Sequence, residues 1–399
     1  MTGRRAADSV RAGLRAVHPP DAGGAEERSW AVVRAAYAER EPTPQAVGVA
    51  RRFAVVAAAA LVATGIALTP AGAEVREWIA DAISPGEEAA RSTVGSLPAS
   101  GTLLVEAGNG VWVQRDDGSR RLLGDYDRAT WSPNGLYVGA SRGRELFALT
   151  AGGEVRWAIT SPAPISALDW STDEGYRIAY VAGESLRVVA GDGTGDVRVR
   201  ERVGSDAIAW RPEGEEGVAR HELAYVDGRN RVTLLDTDSG SVAWRSGRYA
   251  TPPSSLDWSA DGERLLVAGD GFGTVLDGSG SLRLKGIAAE AGPRLTPDGS
   301  RIAIVRRSAG GRSELALGST SGRQGERVLY RAPAGTGSLG APVVSPDGDW
   351  ILVPWPAADQ WLFVNARTKR VMAVAGVAAQ FDPDRRGAAE APRVAGWCC

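Results

Sequence analysis

Trp131-Ser132-Pro133-Asn134-Gly135 is a phrase to which the chain keeps returning. It comes back as Trp170-Ser171-Thr172-Asp173-Glu174-Gly175, Trp210-Arg211-Pro212-Glu213-Gly214, Trp258-Ser259-Ala260-Asp261-Gly262, Leu295-Thr296-Pro297-Asp298-Gly299 and Val344-Ser345-Pro346-Asp347-Gly348. The leading residues are 39, 40, 48, 37 and 49 positions apart. Ser at the first corner, Pro fixing φ at the second, Asp or Asn at the third and Gly accepting a positive φ at the fourth describe a tight turn. Each turn feeds an apolar run, such as Ile178-Ala179-Tyr180-Val181, Ile302-Ala303-Ile304-Val305 or Ile351-Leu352-Val353. A strand-rich unit recurring about every 40 residues is the signature of a β-propeller blade.

Downstream of each hairpin, a Gly-bearing turn leads toward Trp in Leu149 to Trp157 and Leu235 to Arg245, as a second hairpin of the blade requires. Six phrases open a blade. The segment Pro392-Arg393-Val394-Ala395-Gly396-Trp397 copies the approach to a seventh, while Thr102 to Val105, Val111 to Gln114 and Arg121 to Leu123 are strands that precede the first phrase. Joining them completes a blade from both ends and removes the open sheet edges of an unclosed ring. The expectation is an all-β, seven-bladed propeller over residues 101–399, with six blades as the alternative.

The chain is close to neutral, at −2, so no basic field draws nucleic acid. Its 51 glycines suit many turns, and its lysines are Lys285 and Lys369 alone. The two cysteines, Cys398 and Cys399, are adjacent, which rules out stapling distant strands and leaves a vicinal disulfide or two thiols open.

Residues 1–52 hold 9 Arg against 6 Asp plus Glu, and the remainder holds 37 Lys plus Arg against 42, giving +3 and −5. Within them Val10, Leu14 and Val17, and then Trp30, Val33 and Tyr37, fall at helical spacing. Phe53 to Thr69 is free of charge and follows Arg51-Arg52, which predicts a transmembrane helix with the N-terminus inside. Cleavage at Ala71-Gly72-Ala73 is the rival reading, set against an n-region far longer than a signal peptide carries. Val75, Trp78, Ile79, Ala82 and Ile83 form the apolar face of an interfacial helix, and residues 84–100 read as linker, so 70–100 is juxtamembrane.

The repeated phrases resemble the TolB-type and WD-like propellers of bacterial extracytoplasmic proteins. Asp236 to Arg245 is similar to the repeat of quinoprotein propellers, although no quinone pocket can be traced and the Gly-His and Trp-Asp pairs of eukaryotic WD repeats are missing. The order of short helices, one span and a large outer domain resembles membrane-bound anti-sigma factors. That resemblance implies a sigma factor as inner partner, contacted through Trp30, Val33 and Tyr37, but the His-x3-Cys-x2-Cys motif common there is absent.

Enzyme signals are thin. With His18 and His221 as its histidines, the propeller can build neither a triad nor a His-rich metal site around more than one imidazole. Asp192 to Asp196 starts like a calcium loop, yet Val197 stands where Gly is required and the spacing fits a hairpin. No cofactor or metal is expected. The leading tryptophans read as packing between blades in preference to a central aromatic cage. The loops between second and third strands share one face with the blade-to-blade connections, and they bring Arg142, Arg144, Arg229, Arg306, Arg307, Arg312 and Trp355. Arg and Trp are frequent interface anchors, so these residues are the candidate partner or ligand contacts of a binding and sensing module, against the bland reading of an Arg-rich surface.

Overall fold

The computed structural model describes residues 95–399 apart from 172–175, 214–220, 323–324 and 384–390. The expected interfacial helix, the span Phe53 to Thr69 and the Trp30, Val33 and Tyr37 stripe lie outside the described residues. Among the described residues no helix is long and apolar enough to cross a membrane.

The strands follow the turns. Blade 7 takes β1 (Thr102–Ala107), β2 (Gly110–Gln114) and β3 (Arg120–Gly124). Blade 1 is β4 (Arg128–Trp131), β5 (Tyr137–Arg142), β6 (Glu145–Thr150) and β7 (Val155–Thr160); blade 2 is β8 (Ile165–Trp170), β9 (Arg177–Ala182), β10 (Ser185–Ala190) and β11 (Val197–Glu201). Blade 3 is β12 (Val203–Trp210), β13 (Glu222–Asp227), β14 (Val232–Asp236) and β15 (Val242–Arg245); blade 4 is β16 (Ser255–Trp258), β17 (Arg264–Gly269), β18 (Phe272–Asp277) and β19 (Leu282–Ile287). Blade 5 is β20 (Ala291–Leu295), β21 (Arg301–Arg307), β22 (Ser313–Ser319) and β23 (Arg327–Arg331); blade 6 is β24 (Val343–Val344), β25 (Trp350–Trp355), β26 (Gln360–Asn365) and β27 (Val371–Ala375). A final strand, β28 (Arg393–Cys398), returns to pair with β1. The result is seven antiparallel four-stranded sheets, the seven blades expected from the sequence.

Each phrase turns the chain from the first strand to the second, and its Ser or Thr does more than occupy a corner. The hydroxyl of Ser132 donates to Asn134 Oδ1 at 2.8 Å and accepts the N–H of Tyr137 at 2.9 Å. Thr296 does the same with Asp298 and Arg301, and Ser345 with Asp347 and Trp350. These hydroxyls are buried, so the side chain two positions on satisfies a donor that water cannot reach. The glycine at the end of the turn is required on φ alone: Gly135, Gly262, Gly299 and Gly348 sit at +66°, +67°, +63° and +73°. Blade 3 departs from the pattern, since Arg211 stands at the Ser position. Its buried guanidinium donates to Gly262 O in the next blade at 2.8 Å, pairs with Glu222 at 2.9 Å and lies over the Trp258 ring.

The core is divided among the blade interfaces. Among the described residues there are seven hydrophobic clusters, and each joins the facing sides of two neighbouring blades. The leading residue of a phrase enters the cluster shared with the preceding blade: Trp170 joins Leu146 and Ala148, Trp210 joins Ala179 and Leu186, and Trp258 joins Ala224 and Val226. Burying roughly 200 Å² of indole at ~25 cal/mol/Å² contributes about 5 kcal/mol per ring, which is why a large aromatic recurs there. The packing reading of the tryptophans therefore holds over the central cage.

Ring closure uses both ends of the propeller. Thr102 faces Cys398 and Leu103 faces Trp397, and after a bulge Glu106 faces Arg393. Trp397 thereby occupies for blade 7 the place that Trp131 holds for blade 1. Cys398 and Cys399 are joined as a disulfide, and the pair lies against the Ser132 and Pro133 carbonyls of the first turn. The end of the expected linker is packed: Leu97 and Ala99 are buried in the cluster between blades 6 and 7.

Candidate functional site

The first strand of every blade adjoins that of the next, so β4, β8, β12, β16, β20, β24 and β28 surround the axis. Inner strands have one edge without a strand partner, and its N–H groups need acceptors. Side chains supply them. Asp169 Oδ2 accepts the N–H of Trp210 from the next blade at 2.9 Å, Asp257 Oδ2 accepts that of Leu295 at 2.7 Å, and Arg294 donates back to Ser255 Oγ at 3.0 Å. Burial pushes Asp169 up to about 7; the N–H groups of Trp210 and Trp170 pull against this, and the Asp257 carboxylate adds to it. Asp257 is also raised by burial, while Arg294 draws it back.

At one end the channel opens into a cavity of about 460 Å³. Asp127, Ser166, Asp206 and Arg393 line it, each four positions before the leading tryptophan of its blade, together with Glu106, Asp125 and Arg128. Four carboxylates against two guanidinium groups leave the mouth at −4 + 2 = −2. Part of that charge is committed: Glu106 accepts the N–H of Ala129 at 3.0 Å and pairs with Arg393 at 2.5 Å, Asp127 accepts the N–H of Gly143 at 2.7 Å, and Asp206 accepts from Ser166 Oγ at 2.5 Å. Asp125 is exposed at the rim.

This mouth lies on the face that the sequence singled out. The loops between second and third strands interlock there with the blade connections, as in Ile165 N–H to Gly143 O, Tyr249 N–H to Asn230 O and Gly340 N–H to Pro354 O. Around it the predicted contacts are spread over separate blades. Arg142 pairs with Glu145 at 2.9 Å and lies over the Phe147 ring; Arg144 donates to Ser161 O at 3.0 Å. Arg306 pairs with Glu326, and Arg307 is held by Glu290, Ser338 and the Gly311 carbonyl. Arg229 and Arg312 are exposed, and their backbones are tied into their own turns, Arg229 by its N–H to Asp227 and Arg312 by both its N–H and its carbonyl to Ser308.

Trp355 has a different place from the one expected of a surface anchor. It is 2% exposed, its indole N–H donates to Thr336 O at 3.0 Å, and Tyr330 packs edge-on against it. The long connection after β23 covers it, so it belongs to the core between blades 5 and 6.

His221 is held by Asp238, whose carboxyl that contact keeps below its usual range, and Arg177 grips the same carboxylate at 2.6 Å. The Asp192 to Asp196 stretch is the hairpin between β10 and β11: Asp192 accepts from Thr194 and Asp196 pairs with Arg187 at 2.7 Å. Among the described residues no group of three or more His, Cys, Asp or Glu is placed to hold a metal ion. Asp236 to Arg245, the stretch similar to quinoprotein repeats, is the hairpin between β14 and β15, with Asp236 accepting the N–H groups of Asp238 and Ser239.

These features define a seven-bladed β-propeller. Among solved structures the C-terminal WD40 domain of Sif2 superposes with a TM-score of 0.51 at 13% identity, covering 70% of this chain and 84% of that one. The β-propeller domain of Cps50 (Swd1) from Myceliophteria thermophila matches at a TM-score of 0.47 and 14% identity, over 70% of this chain and 98% of that one. Hydrazine synthase of Kuenenia stuttgartiensis matches at 0.46 and 17%, over 59% and 75%. No protein-family profile matches the sequence, and no curated protein does.

Proposed function

We propose that this chain is a non-catalytic binding module, anchored in the cell membrane by Phe53 to Thr69 with the propeller outside, and that it takes a basic segment of a partner at the channel mouth. The observation that carries the reading is the mouth itself, where Asp125, Asp127 and Asp206 converge within a ring of loops whose backbone is fixed by mutual hydrogen bonds. Rigid loops around a charged concavity favour recognition, because little order is lost on binding. WD40-type rings commonly serve as protein-interaction modules, which supports the choice of a protein partner. The TolB-like resemblance of the phrases supports the outer location.

The reading extends inward as an anti-sigma-like device, in which Trp30, Val33 and Tyr37 hold a sigma factor until the outer domain reports its ligand. The decisive experiment is photo-crosslinking from a probe at Asp125 in intact cells. A single captured partner, lost on Asp206→Lys, supports the reading. Capture that is indifferent to the charge reversal, or dye-linked turnover of alcohols or sugars by the quinone-reconstituted protein, overturns it.

A further inference from the structure

The opposite face, which carries the phrase turns and the turns between third and fourth strands, is polar in most blades. Immediately after the turn glycine stand Glu263 in blade 4, Ser300 in blade 5 and Asp349 in blade 6, but Leu136 in blade 1 and Tyr176 in blade 2. Leu136 is 61% exposed and Tyr176 39%, and both line one recess of about 710 Å³ between those two blades. That size falls within the range of sites that hold a side chain or small ligand. Its walls are aromatic: Tyr137 stacks on Trp170 with centroids 6.4 Å apart, and the Trp157 indole is fixed by its N–H donating to Gly191 O at 2.7 Å.

Tyr176 occupies a backbone position that disfavours it. Its φ is +39°, in the left-handed region that bulky residues avoid. Room for this conformation comes from Gly191, where a Cβ would stand 2.4 Å from the Tyr176 carbonyl oxygen. A left-handed, half-exposed tyrosine and an exposed leucine thus stand at a position where three other blades carry polar residues.

The recess adjoins a free strand edge. β7 is the outermost strand of blade 1, pairs with β6 and no other strand among the described residues, and has Val155, Arg156, Ala158 and Thr160 exposed. Such edges recruit foreign strands unless charge blocks them. β3, β11, β19 and β23 carry two or three charged residues each; β7 carries Arg156 alone over its six, β15 carries Arg245 alone over its four, and β27 carries none but is largely buried, so β7 is the longest exposed outer strand with a single charge. Arg156 and Trp157 also form the wall of the recess, and Arg156 has no ion-pair partner among the described residues.

We infer that the edge of blade 1 docks an extended peptide segment, which adds a strand to β7, sets a large apolar side chain into the Leu136 and Tyr176 recess, and places an acidic residue on Arg156. Backbone pairing supplies affinity and the recess supplies selectivity, as in other strand-addition sites. This site is separate from the channel mouth and stands independently of the partner proposed there.

The test uses the full-length protein and a fluorescein-labelled, end-blocked hexapeptide, Trp-Glu-Val-Thr-Val-Thr, read by anisotropy. Saturable binding is expected, and it should weaken roughly tenfold or more when Trp becomes Ala, when Glu becomes Lys, or when alternate amides are N-methylated. Tyr176→Gly relieves the left-handed strain, so the fold survives while binding drops; Leu136→Glu installs the residue type that blade 4 already carries there. Arg156→Glu should invert the preference between the Glu and Lys peptides. Absence of saturation, or binding that ignores N-methylation or the Tyr176→Gly and Leu136→Glu changes, overturns the inference.

Discussion

Replacing Asp169 with Asn isolates the electrostatics of the channel, because the amide oxygen can still accept the Trp210 N–H that Oδ2 accepts at 2.9 Å. In the unfolded chain an aspartate titrates at about 3.9. In the fold, burial lifts Asp169 to about 7. The native state thus keeps a proton that the unfolded state has released, and stability falls as pH rises between those two values. Three pH units at ~1.4 kcal/mol each set a ceiling of about 4 kcal/mol, and the partial exposure of Asp169 reduces it to roughly 1–2 kcal/mol. The Asp169→Asn protein should therefore match wild type to within about 0.5 kcal/mol at pH 4 and exceed it by ~1–2 kcal/mol at pH 8. Urea unfolding followed by tryptophan fluorescence measures both, and subtracting the two proteins at each pH cancels every other titrating group. A difference that stays constant with pH, or a variant less stable than wild type at pH 8, would refute the reasoning.

Trp258→Ala should cost about 3–5 kcal/mol, since it empties the interface of blades 3 and 4 beneath the Arg211 guanidinium, whereas Trp258→Leu, which copies blade 5, should cost less; thermal unfolding ranks the two. Glu106→Ala leaves the buried Ala129 N–H without an acceptor, whereas Arg393, 57% exposed, can turn to water, so the loss should be roughly 1–3 kcal/mol, which limited proteolysis after β27 should report as an opened ring. Ser345→Ala removes the hydroxyl that links Asp347 to the Trp350 N–H and should lower stability by ~1 kcal/mol in chemical denaturation. Arg229→Ala with Arg312→Ala should leave the melting temperature unchanged, while Trp355→Ala lowers it through the loss of a buried indole worth about 3–5 kcal/mol.

The ring was legible because one local device, the hydroxyl turn with its positive-φ glycine, recurs with little change and each copy marks the same corner. Closure was legible for a similar reason: Pro392 to Trp397 reads as the start of a unit and Thr102 to Leu123 as the rest of one. Trp355 was misplaced because its burial depends on the connection after β23, which folds back so that Thr336 meets the indole, a long-range contact that no periodicity encodes. The channel residues carry a signal in the sequence that the turn phrases alone do not contain. Asp169, Asp257 and Arg294 stand one position before a leading residue, and Asp127, Ser166, Asp206 and Arg393 four before. Both sets keep a fixed spacing ahead of the turn, just as in most blades the apolar runs keep theirs behind it. Arg211 illustrates the converse limit, because its value at a Ser position depends on Gly262 O, 51 residues away.

The pairing of β28 with β1 also sets a timetable for biosynthesis. Arg393 comes 287 positions after Glu106, so at about 5–20 residues per second the ribosome needs roughly 15–60 s to supply the inner strand of blade 7 after making its second. Throughout that interval β1 to β3 can form only a three-stranded sheet, with the β1 edge open and Leu103, Leu104 and Val105 lacking the neighbours that bury them completely in the finished ring. Blades 1 to 6 can stack as they emerge, but the first sheet must wait for the last strand. A newly made chain therefore carries a sticky apolar edge for most of its synthesis, and holdase chaperones have their clearest task at this one blade.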